Sequence, residues 1–269
     1  MKDKPIGVFD SGLGGLTCVK QLLEILPNEN IVFLGDTKRN PYGVNTKETL
    51  TRYTTDDVAF LQRRDVKLIV AACGTVSSNV PARRIQGLSV PFVDVITPTI
   101  DAALKATKTK RIGIIGTTAT IKSGSFANRL KNRDKNVQTV SNACQQLVSL
   151  VESGNIEEDN FTTNQVTAEY LAPIKAFGVD TLILGCTHFP IISKIIQNIM
   201  GPDVVLIDAG KEAAKEVARL LPTLNLERET PRDDTEYFVT GDSAAFDSVA
   251  NIFLGGADDV RSVTADIYE

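Results

Sequence analysis

Eight short apolar runs punctuate the chain: Ile6 to Phe9, Ile31 to Leu34, Leu68 to Ala72, Phe92 to Val95, Ile112 to Ile115, Val137 to Val140, Leu182 to Leu184 and Val204 to Ile207. Each is short and partly β-branched, as strands buried on both faces of a parallel sheet are. Between most of them lie amphipathic stretches of helical spacing. From Thr17 to Leu26, residues Val19, Leu22, Leu23 and Leu26 share one face; from Gly210 to Leu221, so do Ala214, Val217, Ala218 and Leu221. Strand and helix in alternation point to an α/β protein with a mainly parallel sheet.

The runs also repeat as a set. Ile6-Gly7-Val8-Phe9-Asp10-Ser11 lies about 106 positions before Ile112-Gly113-Ile114-Ile115-Gly116-Thr117, Cys73 lies 113 before Cys186, and Val93-Asp94-Val95 about 114 before Ile207-Asp208-Ala209. Three landmarks in one order at nearly one offset predict two similar α/β units facing each other across a cleft. The alternative is chance likeness among parallel strands. A boundary is expected at Thr97-Pro98, where a proline follows the fourth run and a helix from Thr99 to Ala106 begins. The first unit then comprises residues 1–97 with 209–269 folding back on it, and the second residues 98–208. The returning segment holds a helix and a short strand, Glu236 to Val239.

A chain of 269 residues, 42% hydrophobic and 23% charged, can bury the cores such units need. Its net charge is −4, and its basic residues are scattered apart from Lys105 to Arg111 and Arg129 to Lys135. Those clusters read as solvated helix ends or loops, so no nucleic-acid partner is expected. The apolar stretch nearest the N-terminus is too short for a signal peptide, and no run approaches membrane-spanning length. A cytoplasmic protein with free thiols is expected, with Cys18 as a small core residue.

Two of the runs end in cysteine: Ala72-Cys73-Gly74-Thr75, and Gly185-Cys186-Thr187-His188, which holds the only histidine. Ligands of open α/β sheets bind beyond the carboxyl ends of strands, where both thiols then lie. Gly7-Val8-Phe9-Asp10-Ser11-Gly12-Leu13-Gly14-Gly15-Leu16-Thr17 reads as strand, glycine-rich turn and helix start, able to bring backbone N–H groups to an anion. It is neither the dinucleotide fingerprint nor a P-loop. Asp10 either sets a carboxylate beside the site or caps the following helix. The loop Gly35-Asp36-Thr37-Lys38-Arg39-Asn40-Pro41-Tyr42-Gly43 offers backbone donors and a phenol, or is an ordinary turn.

Cys73 and Cys186 admit three readings. They are inert core thiols; or zinc ligands with His188 and Asp10, although the usual C-x-x-C spacing is missing; or catalytic thiols on opposite walls of the cleft. The third is the geometry a racemase needs, because two monoprotic bases can take a proton from one face of a carbon and return one to the other. A free thiol titrates near about 8.5, so thiol and thiolate coexist near neutrality with modest tuning. Asp10 and His188 are candidates to tune or relay protons for Cys73 and Cys186. Thr75, Thr187, Ser11 and turn N–H groups could donate to a substrate carboxylate. A cysteine–histidine hydrolase leaves one thiol idle, and a two-lobed amino-acid-binding protein leaves both idle.

At these residues the chain resembles the glutamate racemases of the cofactor-independent aspartate/glutamate racemase superfamily. The likeness runs through G-V-F-D-S-G-L-G-G-L-T from Gly7, G-D-T-K-R-N-P-Y-G from Gly35, A-C-G-T from Ala72, I-G-I-I-G-T-T-A-T-I from Ile112, L-V-E-S-G from Leu150 and L-I-L-G-C-T-H-F-P from Leu182. It implies interconversion of L- and D-glutamate without pyridoxal phosphate, any other cofactor or a metal, supplying D-glutamate for peptidoglycan. Racemisation of another acidic amino acid, such as aspartate, is the alternative. By position, Cys73 would take the proton from D-glutamate, assisted by Asp10, and Cys186 from L-glutamate, assisted by His188 with Glu152 behind it. Asp10, Ser11, Tyr42, Gly43, Gly74, Thr75, Thr117, Thr120, Thr187 and His188 match substrate-contact positions. The family fold is two α/β domains closing on the substrate, and a homodimer is expected. Two departures stand out: Gly74 where the family usually has asparagine, and Gln145 where it tends to have proline after Ala143-Cys144. Cys144 therefore looks structural.

Overall fold

The computed structural model describes residues 1–256 and 260–268. In chain order the elements are β1 (Ile6–Asp10), α1 (Leu16–Ile25), β2 (Ile31–Gly35), α2 (Lys47–Arg63), β3 (Leu68–Ala71), α3 (Gly74–Asn79), β4 (Phe92–Asp94) and α4 (Ile96–Ala106). There follow β5 (Arg111–Gly116), α5 (Thr118–Ser123), α6 (Ser125–Arg133), β6 (Gln138–Ala143), α7 (Gln145–Glu152), α8 (Phe161–Ala176), β7 (Thr181–Leu184), α9 (Ser193–Met200) and β8 (Val205–Asp208). The chain continues with α10 (Ala209–Thr223), β9 (Thr235–Val239), α11 (Ser243–Leu254) and β10 (Ser262–Thr264).

All eight apolar runs are strands, and every pairing is parallel. One sheet has the order β10-β9-β2-β1-β3-β4 and the other β6-β5-β7-β8. The class is therefore α/β with two parallel sheets. Alternation along β1 shows why both faces of the first sheet are covered. Ile6 and Val8 pack with Leu16, Val19 and Leu22 of α1 in a core that continues into the second sheet through Ile112, Ile114 and Leu182. Phe9 turns the other way, into a core with Val32, Leu34, Ile69 and the α2 residues Leu50, Val58 and Leu61.

The helix expected from Thr99 begins earlier, at Ile96. Asp94 Oδ1 accepts the N–H groups of Ile96 and Thr97 at 2.8 Å each, starting the helix ahead of Pro98. Proline is tolerated there because first-turn N–H groups have no intrahelical acceptor to lose. Strand β9 lies beside β2 in register from Ile31 with Thr235 to Gly35 with Val239. The sequence reading had no counterpart for α11 or β10. Helix α11 buries Phe246, Ala250, Phe253 and Leu254, and β10 is a three-residue edge. Helix α10 packs on both α1 and α4. Among the described residues no helix is long and apolar enough to cross a membrane.

Candidate active site

Strands β1 and β3 are neighbours in one sheet, β5 and β7 in the other, and their carboxyl ends converge on a single narrow cavity of about 40 Å³. Asp10 and Ser11 follow from β1, Cys73 to Thr75 from β3, Thr117 from β5 and Cys186 to His188 from β7. Tyr42, Gly43 and Glu152 complete the predicted residues on its wall. Thr120 is set behind the wall, reaching it through a 3.0 Å hydroxyl contact with Thr117.

On the first wall, the Cys73 thiol is buried and donates to Ser11 Oγ at 3.6 Å. Burial pushes it well above the usual thiol range, and the charge of Asp10 adds to the effect, so Cys73 carries its proton at neutral pH. Asp10 does two things at once. Its Oδ2 accepts the Gly15 N–H at 2.8 Å, bracing the turn before α1 rather than capping the helix, whose first N–H groups go to backbone carbonyls, while its buried Oδ1 has no hydrogen-bond partner among the described residues. A buried, unpartnered carboxylate oxygen on a cavity wall is open to an ammonium or a transferred proton.

The second wall holds a chain of three groups. Cys186 Sγ lies 3.7 Å from His188 Nδ1, and His188 Nε2 lies 2.9 Å from Glu152 Oε1 at the end of α7. Phe253 of α11 meets the imidazole edge to face, with centroids 5.5 Å apart. Burial alone disfavours charge on His188, but hydrogen bonds to Cys186 and Glu152, with their negative charge, outweigh it and raise its pKa to about 10. That rise favours the imidazolium form of the ring. Gly14 must be glycine for this wall to seat: a Cβ there would fall on Thr187 Oγ1 and 2.7 Å from His188 Nδ1. Thr17 then ties the two sides by donating to the Thr187 carbonyl at 2.9 Å.

A second tie crosses the cavity at Thr75 and Thr117, whose hydroxyls are 3.1 Å apart. Behind the first wall, the Tyr42 hydroxyl is not free for a ligand. It donates its one proton to Asp36 and its oxygen lies 2.9 Å from Asp57, two carboxyl groups that Arg39 also binds. Arg39 reaches Asp56 as well, at 2.7 Å. Desolvation, reinforced by Asp36, pushes the Asp57 carboxyl well above the ordinary carboxylate range. The phenol expected at the ligand thus belongs to a buried network that supports the loop carrying Tyr42 and Gly43.

The pattern of residues 15–217 matches the model of the Asp/Glu/hydantoin racemases. The chain belongs to this family. A glutamate racemase from Geobacter metallireducens is 41% identical over 254 residues, covering 94% of this chain and 93% of its relative. Among solved structures, a glutamate racemase isoform from Bacillus anthracis superposes with a TM-score of 0.93 at 34% identity, covering 99% of this chain and 98% of the other. A glutamate racemase from Francisella tularensis, solved in complex with D-glutamate, gives 0.90 at 34% identity over 100% and 99% of the two chains.

For a racemase of this family the remaining wall is informative. Gly12, Asn40, Pro41, Gln145, Val148 and Gly185 also border the cavity, and sequence reasoning did not assign them to it. A signal for some was present: Gln145, Val148 and Glu152 recur at i, i+3 and i+7, one face of α7. The other two cysteines lie in the interior, Cys18 donating to the Gly210 carbonyl at 3.6 Å and Cys144 to that of Asn142 at 3.7 Å. Burial raises Cys144 to about 12, and the charge of Cys186 adds to the rise. Among the described residues no three His, Cys, Asp or Glu side chains converge as a metal site.

Proposed function

We propose that the protein interconverts L- and D-glutamate by proton transfer between two thiols and the α-carbon. The observation that carries this reading is that Cys73 and Cys186, from two different sheets, border one cavity, Cys186 beside His188 and Cys73 hydrogen-bonded to Ser11, with Asp10 on the same wall. With L-glutamate, Cys186 as thiolate takes the α-proton, its charge held beside the His188 imidazolium. The carbanion-like state is stabilised by hydroxyl and N–H donors around the substrate carboxylate. Cys73 then gives its thiol proton to the opposite face and is left as the thiolate. With D-glutamate the same steps run backwards from that form, with Asp10 beside Cys73. The α-proton passes only between carbon and sulfur, so the reaction asks no cofactor of the chain.

On this reading the product D-glutamate serves peptidoglycan synthesis in the cytoplasm. The enzyme works as a homodimer, each chain divided into residues 1–97 with 209–269 and residues 98–208. The family blocks around Asp10, Cys73 and Cys186 support this assignment.

The deciding assay follows each enantiomer of glutamate, and of aspartate, by circular dichroism and chiral chromatography in deuterated water without added cofactor. Racemisation of glutamate with deuterium at the product α-carbon is expected. Binding of glutamate without conversion would identify a two-lobed binding protein instead, and preferred turnover of aspartate would reassign the substrate.

A further inference from the structure

The cavity presents an imbalance for a dicarboxylate substrate. Among the described residues that border it none is lysine or arginine, and side-chain N–H donors on its wall are confined to Asn40, Gln145 and His188. His188 is committed to Glu152 and Cys186. Position 74, next to the first thiol, cannot contribute any side chain, because a Cβ there would fall far inside contact distance of the Gly185 carbonyl oxygen. That oxygen is backbone, so the obstruction cannot swing aside.

Gln145 faces this gap from the second sheet's side. It opens α7, with Cys144 as the residue preceding the helix, and shares the cavity-facing stripe of that helix with Val148 and Glu152. Its Oε1 accepts the Thr118 N–H at 3.2 Å. Only the oxygen of a carboxamide can accept, so this bond settles which end of the amide is which. The Nε2 group keeps two hydrogens to donate.

We propose that Gln145 is a substrate-binding residue, its Nε2 donating to a carboxylate of the amino-acid substrate and supplying from α7 an amide that position 74 has no space to carry. This rests on the racemase reading above. A hydrogen bond to a charged group from a preoriented donor is worth roughly tenfold or more in affinity. Neutral donors also suit a site that must release either enantiomer, since they bind a carboxylate less tightly than a bidentate arginine.

The test is Gln145→Glu. This change keeps an oxygen for the Thr118 N–H but replaces the donor with a second acceptor and a like charge. The expected result is a rise of at least about tenfold in KM for both glutamate enantiomers, with a melting temperature close to that of the unaltered protein. Gln145→Ala in the same assay should raise KM several-fold, and covers the case in which the charged variant does not fold. A KM within twofold of the unaltered enzyme in Gln145→Glu, or in Gln145→Ala if only that variant folds, overturns the inference. So does a lowered melting temperature with KM unmoved, which would mark the residue as a support for α5 alone. If the unaltered enzyme leaves glutamate unconverted, the racemase reading fails and this inference with it, a result seen before any variant is compared.

Discussion

Glu152 Oε1 lies 2.9 Å from Nε2 of His188, whose other ring nitrogen faces the Cys186 sulfur. The carboxylate fixes the ring and holds a proton on it, so its charge reaches Cys186 through the imidazole. Glu152→Gln preserves a hydrogen bond but removes that charge, and kcat should fall by about tenfold or more. The two enantiomers have equal free energy in water, so kcat/KM must change equally in both directions; the asymmetry appears in isotope effects. With α-deuterated L-glutamate the primary effect should grow, because abstraction by Cys186 becomes slower, while that on D-glutamate shrinks. Equal changes in both would disconnect Glu152 from Cys186.

The thiols themselves should be separable. Cys73→Ser and Cys186→Ser are each expected to lower turnover by about a hundredfold or more, since a hydroxyl is a far weaker acid than a thiol. Deuterium wash-in from solvent should be lost for the enantiomer whose abstracting thiol is gone. Full activity in either serine variant would leave a one-thiol mechanism as the better account.

Gly74 has a stability prediction independent of catalysis. Gly74→Ala drives a methyl group into the Gly185 carbonyl oxygen, a backbone atom that cannot rotate away. A cost of about 1–3 kcal/mol in urea unfolding is expected, the range of overpacking substitutions. A neutral effect would mean that the two sheets separate freely at this contact.

His188 sets a pH dependence of stability. Its folded pKa, about 10, lies above its ordinary value of 6.5, so the stabilisation is complete below pH 6.5 and is lost as pH rises toward 10. A thiol with a pKa of about 8.5 is only about a tenth ionised in the unfolded chain at about pH 7.5, which leaves the interval from pH 6.5 to about 7.5 to the histidine. The melting temperature should decline across that interval and flatten in His188→Asn. An identical slope in the variant would place the titrating group elsewhere.

The Arg39 network predicts a larger effect. Its guanidinium binds Asp36, Asp56 and Asp57, two of which are fully buried. Arg39→Met leaves those carboxyl groups without a cation and should cost about 3–5 kcal/mol. Double variants with Asp57→Asn should recover part of the loss, a coupling that thermal denaturation reads directly.

Strand positions and the two thiols were legible in the sequence because both are written in period: runs of apolar residues interrupted by glycine, and an offset that recurs. Helix starts were less so. The Thr97-Pro98 signal misplaced α4 by three residues because Asp94 captures the first N–H groups ahead of the proline. What no local pattern carries is distance between elements far apart in the chain. The closeness of Gly74 to Gly185, the tie between Thr75 and Thr117, and the withdrawal of the Tyr42 phenol into an acidic pair all arise from how two sheets meet. Thr120 shows the same limit, matching a contact position by alignment of motifs yet standing one hydroxyl behind the wall.

The position of β9 beside β2 has a consequence for how the molecule is made. The four strands of the second sheet are contiguous in sequence, from Arg111 to Asp208, whereas the first sheet needs Thr235–Val239 to cover the exposed side of β2. A ribosome thus delivers the Cys186 side whole while the Cys73 side still shows an unpaired strand edge. Exposed edges recruit other strands. Nascent chains of this enzyme therefore pass through an interval in which one wall of the future cavity is built on a sheet that has yet to be sealed.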